Sequence, residues 1–355
     1  MSTSTYYRSL IKRVYFMPGA ENFNAFRNVA EVLGDLPWSC VNSAEDIPEE
    51  FRNQQSLLLQ TVRGAPLTPC PGTRFHQCCN YHTIDAFIGC SLGCSYCIMQ
   101  SYLNFSPLVV QVDTGPTVAA IREAAARHPV LRVGTGEVGD SLQLDPLTRI
   151  SASIIQAAAE FPNVQFEMKT KTDFVDHLLD IEPKGRAVIG FSVNPPPVIR
   201  TEEGTAVSLQ RRLQAAAAAV DAGYQVAFHF DPMIRIENWE QEYRALARQV
   251  REFDPRRVAW ISLGSVRFTP GLRKKIADRP YLYDEFVPSM DGKLRYLQPL
   301  RTEMYQAVVQ ELGDDYPVYL CMESDAVWRK VFGALPTEIP AIHAIFAGRR
   351  EDRGN

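Results

Sequence analysis

Three of the eight cysteines in this 355-residue chain stand close together, in Cys90-Ser-Leu-Gly-Cys94-Ser-Tyr-Cys97. Gaps this short let one loop curl around a single metal centre, and thiolates favour zinc or iron–sulfur clusters. A structural zinc ion takes four ligands, commonly as two pairs. Three thiolates on a tight loop instead suit a four-iron cluster with one iron left without a protein ligand. Cys90, Cys94 and Cys97 are therefore read as ligands of a [4Fe–4S] centre. A second group, Cys70, Cys78 and Cys79 with His76 and His82, lies just upstream. It is either a second metal site or a set of buried structural thiols, since adjacent cysteines seldom ligate one ion. Downstream, Gly134-Thr-Gly-Glu137-Val-Gly-Asp140 combines glycines, which let the backbone approach a ligand closely, with two carboxylates that accept hydrogen bonds. The plainer alternative is an acidic turn capping the helix from Pro146.

Such residues work only where strands and helices hold them. From residue 84 a β-then-α alternation appears, with strands expected at 84–89, 108–112, 130–134, 164–168, 187–192, 225–230 and 257–262. Helical patterns lie between them at 117–127, 147–160, 208–222 and 239–253. Repeating βα units give a parallel barrel or partial barrel, with working residues at the C-terminal ends of its strands. The cysteine loop follows the first expected strand. Beyond residue 265 the pattern changes: Asp291-Gly292 between extended arms signals a hairpin over 286–296. A helix over 301–312, a strand at 318–320 ending at Cys321, and a helix over 324–332 follow. Residues 1–65 read as an N-terminal extension with a short helix and one strand, and carry no evident chemistry. The expected organisation is thus an extension (1–65), a barrel (66–265), a C-terminal hairpin and helices completing the active-site mouth (266–347), and a disordered tail (348–355).

The chain is 46% apolar and 22% charged, as expected of a globular protein with a sizeable core. No apolar run approaches bilayer length, so no membrane partner is expected, and the first residues lack the apolar core of a signal peptide. Six cysteines within residues 70–97 look like metal chemistry rather than a disulfide framework, and an oxygen-labile cluster implies a reducing cytoplasm. Net charge is −4, which does not advertise a nucleic-acid binder. Residues 266–301 nevertheless hold eight Lys/Arg against four Asp/Glu, a local basic patch.

The cysteine spacing is the signature of radical S-adenosylmethionine (SAM) enzymes, and the chain resembles their spore photoproduct lyase family from about residue 69 to 333. The resemblance is carried by the cysteine loop, by Thr170-Lys171-Thr-Asp-Phe-Val-Asp-His-Leu-Leu179 and by Gly190-Phe-Ser192-Val-Asn194. It continues in Gly223-Tyr-Gln-Val, Trp239-Glu-Gln-Glu-Tyr243, Arg267-Phe-Thr and Cys321-Met-Glu-Ser. It implies an α/β fold, a partial (β/α)6-type radical SAM barrel. It also implies SAM on the open iron, a flavodoxin or ferredoxin as electron donor, and a thymine lesion in DNA as substrate. Lys171 and Ser192 look similar to family residues that hold the SAM carboxylate, with Asn194 pointing to the same side. Tyr96 is expected over the cofactor, and Glu137 and Asp140 as acceptors for SAM hydroxyls, its amine or a substrate amine. The hairpin with Arg295 and Tyr296 resembles the wedge that lyases insert at the damaged step, and Arg267 joins it as a substrate contact.

Two departures bear on activity. The lyases keep a hydrogen-donating cysteine where this chain has Glu137, and a tyrosine where it has Ile98. A carboxylate O–H bond is too strong to donate a hydrogen atom usefully. One reading is a lyase with Cys321, or one of Cys70, Cys78 and Cys79, as replacement donor. A second is a radical SAM enzyme for a modified nucleoside, RNA base or small metabolite, with Glu137 gripping a polar group. A third is a non-catalytic, cluster-bearing nucleic-acid binder.

Overall fold

Short apolar runs with few polar interruptions become strands buried on both faces, and the amphipathic stretches between them become helices. A computed structural model describes residues 3–72, 75–103 and 107–346, so the tail expected at 348–355 lies outside the described residues. The chain divides into two units. One comprises residues 1–68, 82–92 and 102–187, the other residues 69–81, 93–101 and 188–355.

In the first unit, β1 (Arg13–Phe16), β2 (Trp38–Cys40), β3 (Ser56–Gln60) and β7 (Leu108–Gln111) form a parallel sheet in the order β2-β1-β3-β7. The unbroken Leu57-Leu58-Leu59 run suits β3, which is buried along its whole length. Leu58 packs with Tyr15, Met17, Ile47 and Val109 in one apolar cluster. Residues 1–65 are therefore no mere extension, and 108–111, expected in the barrel, closes their sheet instead. The run 84–89 yields only β6 (Phe87–Ile88), antiparallel to β7. The cysteine loop thus leaves a short edge strand rather than a barrel strand. The short strands β4 (Thr68–Pro69) and β5 (Tyr81–Thr83) fall where the chain passes from one unit to the other. The first unit also holds the parallel pair β8 (Leu131–Thr135) and β9 (Val164–Thr170), with Leu131 opposite Val164. Its helices are α1 (Thr3–Leu10), α2 (Asn24–Leu33), α3 (Gly115–Ala125), α4 (Asp145–Thr148) and α5 (Ile150–Ala159).

In the second unit, β10 (Ala187–Ser192), β11 (Gln225–Met233), β12 (Val258–Ser265) and β16 (Val318–Leu320) run parallel in that order. The crossovers are α6 (Pro196–Glu202), α7 (Leu209–Asp221) and α8 (Trp239–Val250). The alanine-rich α7 buries Ala215, Ala216 and Ala219, and Gly223 ends it at φ +97°. The Asp-Gly signal marks a true hairpin: β14 (Phe286–Pro288) pairs antiparallel with β15 (Leu294–Tyr296), and β13 (Arg267–Phe268) adds a third strand. The helices α9 (Pro270–Lys275), α10 (Gln298–Leu312), α11 (Asp325–Phe332) and α12 (Pro340–Phe346) complete the unit. Among the described residues no helix is long and apolar enough to cross a membrane.

Candidate active site

None of the three loop cysteines is in a disulfide; Cys94 is buried and Cys90 and Cys97 are half-buried. Three thiols of this spacing, none tied up in a disulfide, fit an iron–sulfur cluster as its donor set. The loop starts in the first unit, where backbone bonds pin it. The Gly89 N–H donates to the Val138 carbonyl at 2.9 Å. A Cβ on Gly139 would lie 2.8 Å from the carbonyl oxygens of both Phe87 and Gly89, so only glycine permits this approach. Gln54 Nε2 donates to the Cys90 carbonyl at 3.0 Å, and the Ser91 N–H donates to Gln143 Oε1 at 3.1 Å. Gln143 in turn donates to Ser91 Oγ at 2.7 Å, and its carbonyl receives the Tyr7 hydroxyl at 2.8 Å.

The acidic turn holds backbone rather than ligand. Asp140 Oδ1 accepts from the N–H groups of Leu142 and Gln143, both at 3.0 Å, and from the Thr170 hydroxyl at 2.8 Å. Asp140 Oδ2 accepts the Lys171 N–H at 2.7 Å. The carboxylate expected to meet SAM is therefore an internal post that sets the end of β9, where half-buried Lys171 begins the loop. Glu137 differs: it is half-buried and lies 3.5 Å from Lys169 Nζ. Burial, and then the Glu137 charge, push the Asp85 carboxyl up.

In the second unit the remainder of the loop is tied to consecutive glutamates at the end of α6. The Ser95 N–H donates to the Glu202 carbonyl at 2.8 Å, and its hydroxyl donates to the Glu202 carboxylate. The Tyr96 hydroxyl donates to Glu203 Oε1 at 2.6 Å. Asn194 Nδ2 reaches the same oxygen at 2.9 Å, while Asn194 Oδ1 accepts from the Tyr243 hydroxyl at 2.9 Å. Burial and the neighbouring Glu203 charge push the Tyr96 phenol well up, so it remains a donor. Tyr96 and Asn194 thus spend their polar atoms inside the protein, which corrects the expectation that Asn194 contacts the cofactor. Glu202, Glu203, Arg212 and Gln143 are missing from the sequence reading. A Glu-Glu step and an arginine inside an amphipathic helix carry no mark of burial.

The strand ends of this unit carry a second polar row. Ser192 stands opposite His229, and His229 opposite Ser262, with His229 Nδ1 2.6 Å from Ser262 Oγ. Farther along, Asp231 meets Arg267 at 3.0 Å, and Arg267 Nη2 lies 4.0 Å from Cys321 Sγ. Burial, then the Asp231 charge, push the Cys321 thiol well up, so it stays protonated. Arg267 is thus engaged by Asp231 rather than presented to a phosphate. The hairpin residues also differ from expectation. Arg295 is buried, and its guanidinium makes two contacts with Asp291 at 2.5 and 2.9 Å. Tyr296 is buried as well, its ring stacked on Phe286 and its hydroxyl accepting the Arg235 N–H at 2.9 Å. Neither is available as a wedge. A charged or aromatic side chain on a short hairpin is equally compatible with packing inward, and pattern alone does not choose. Met290 at the hairpin turn is instead 75% exposed. Among the described residues no group of three or more His, Cys, Asp or Glu converges on a single ion, whether at Cys90, Cys94 and Cys97 or at Cys70, Cys78, Cys79, His76 and His82.

A three-thiolate loop in an α/β chain with parallel strands defines a radical SAM protein. The family model for spore photoproduct lyase matches residues 75–284, and the chain belongs to the spore photoproduct lyase family. Membership makes it an enzyme of the radical SAM lyase class, with a [4Fe–4S] cluster and SAM as cofactors. Spore photoproduct lyase of Geobacillus sp. (strain Y412MC61) is 29% identical over 289 residues, covering 76% of this chain and 82% of that one. The Bacillus subtilis (strain 168) enzyme is 28% identical over 218 residues, covering 58% of this chain and 61% of the relative. A solved cysteine-to-alanine mutant of spore photoproduct lyase with dinucleoside spore photoproduct superposes with a TM-score of 0.75 at 23% identity, over 88% of this chain and 99% of the other. A double mutant with bound AdoMet and the same dinucleoside gives a TM-score of 0.75, also at 23% identity, over 88% and 98%. The fold is the α/β partial barrel expected from the resemblance.

Proposed function

We propose that this protein cleaves SAM reductively and uses the resulting radical to reverse a thymine lesion in DNA. The observation that carries this is the cysteine loop, its backbone pinned by Gln54 and Gln143 at one end and by Glu202 at the other. Cys90, Cys94 and Cys97 hold the cluster. When bound, cluster and SAM together supply a 5′-deoxyadenosyl radical, at the expense of one electron from a flavodoxin- or ferredoxin-type donor. Lys171 at the end of β9 is the counter-ion for the SAM carboxylate, and Ser192 at the end of β10 donates to it. Glu137, half-buried and close to Lys169, takes a polar group of cofactor or substrate. Cys321 is the hydrogen donor: a neutral thiol at the end of β16, held beside Asp231 and Arg267. The dinucleoside bound by the solved relatives supports the lesion as substrate. A reducing, cytoplasmic setting follows from the cluster's sensitivity to oxygen.

A second reading rests on Glu137 and Ile98, which stand where the family has its cysteine and tyrosine. It keeps the SAM chemistry and gives the radical to a modified nucleoside, RNA base or small metabolite. The two are separated by product analysis on irradiated and undamaged nucleic acid, with wild type and Cys321→Ala. Under the first reading, wild type restores thymine, whereas Cys321→Ala still releases 5′-deoxyadenosine but accumulates abortive adducts. Normal repair by Cys321→Ala makes that thiol packing. A wild type that ignores the lesion shifts the assignment to the second reading. No 5′-deoxyadenosine from reconstituted protein leaves a cluster-bearing binder.

A further inference from the structure

The roles above leave the buried ion pair between Glu203 and Arg212 unexplained. Glu203 and Arg212 are both fully buried and meet at 2.5 Å. A buried ion pair is weak evidence for stability, because desolvating both charges offsets most of their attraction and apolar replacements often do as well. Helix energetics do not account for it either. Glu203 caps the C-terminal end of α6, where the helix dipole disfavours a negative charge. What is specific is the set of groups that converge on this carboxylate. Oε1 receives Tyr96 at 2.6 Å and Asn194 at 2.9 Å, and Oε2 receives Arg212. Arg212 also donates through Nη1 to the Ser192 carbonyl at 2.8 Å and through Nε to the Val207 carbonyl at 3.0 Å. Tyr243, which holds Asn194, accepts the Ile234 N–H at 2.7 Å. The ends of β10 and β11 and the helices α6, α7 and α8 are therefore joined to one side chain of the cysteine loop. That side chain is Tyr96, which sits between Cys94 and Cys97. Glu202 holds the preceding Ser95 twice over.

We infer that Glu203, held in place by Arg212, is the positioning residue that orients Tyr96 and thereby the Cys94 and Cys97 thiolates toward their iron–sulfur centre. This rests on the reading of those cysteines as cluster ligands. Groups one shell out from a metal orient its ligands, and their loss typically weakens metal retention about 10- to 100-fold.

The test uses the full chain, reconstituted with iron and sulfide. Tyr96→Phe removes the link but leaves Glu203, Arg212 and Asn194 paired, so it isolates positioning from folding. Glu203→Gln keeps an acceptor for Tyr96, and Glu203→Ala removes it. Iron content, the rate of cluster loss to a chelator, the electron paramagnetic resonance spectrum of the reduced cluster and the melting temperature of the apoprotein are measured together. The expected result is cluster loss at least about tenfold faster in Tyr96→Phe and Glu203→Ala, with shifted resonances and partial rescue in Glu203→Gln. Wild-type spectra and retention in Tyr96→Phe, with only the melting temperature lowered in Glu203→Ala, would overturn the inference and make the pair structural. A wild type that takes up no four-iron cluster sinks the ligand assignment and this inference together. A wild type that loads normally beside unaffected variants sinks the inference alone.

Discussion

Replacing Asp140 with asparagine separates a post that holds backbone from a ligand for SAM. Its two carboxylate oxygens accept four donors: the Leu142, Gln143 and Lys171 N–H groups and the Thr170 hydroxyl. An amide replaces one of those oxygens with a donor. The less costly orientation puts the NH2 where Oδ2 stood, facing only the Lys171 N–H at 2.7 Å. One hydrogen bond to a charged acceptor is then lost, worth about 1.5–3 kcal/mol, and two donors are left facing each other in a buried site, at about 1–3 kcal/mol. The sum, about 2.5–6 kcal/mol, is a large share of a typical stability of about 5–15 kcal/mol. It is read as a lowered urea midpoint of the apoprotein at unchanged slope. A loss below about 1 kcal/mol would refute the account, since a lost bond to a buried carboxylate and two opposed buried donors cannot cost so little. An Asn variant as stable as wild type yet unable to bind SAM would refute it differently, by putting the Asp140 carboxylate on the cofactor.

Two further predictions concern the charges of Lys171 and Asp291. Lys171→Ala keeps the backbone N–H on Asp140, so it reports on the ammonium alone: SAM affinity, measured by calorimetry, should fall about 10- to 150-fold with iron content unchanged. Burial pushes the Asp291 carboxyl up, but the two-point contact with Arg295 outweighs it and holds the group at about 2, below its ordinary 3.8. A depressed carboxylate contributes stability above its unfolded value and loses it as pH falls toward the folded one. Asp291→Asn should therefore cost about 2 kcal/mol in urea unfolding at about pH 5 and almost nothing at about pH 2. Equal losses at both pH values would show that packing, not charge, holds the hairpin.

What the sequence by itself determined were the features set by covalent spacing and local backbone preference. Cys90, Cys94 and Cys97 lie on one eight-residue loop however the chain folds. Asp291-Gly292 turned the chain because Gly292 takes φ +77° at no steric cost. The parallel strands from β8 onward were legible as short buried apolar runs. Tertiary structure decided which sheet a run joined: Leu108–Gln111 looked like a barrel strand but pairs with Ser56–Gln60. An apolar strand records that it is buried, not which neighbour covers it. Tertiary structure also decided which polar side chains remain available. Tyr96 meets Glu203 across 107 residues of sequence, and Arg295 turns inward to Asp291 four residues away. A buried polar group must find a partner, and that partner is chosen by the folded backbone rather than by its own place in the sequence. For that reason Asp140, Asn194 and Arg295 looked like ligand contacts in the sequence and are struts in the structure.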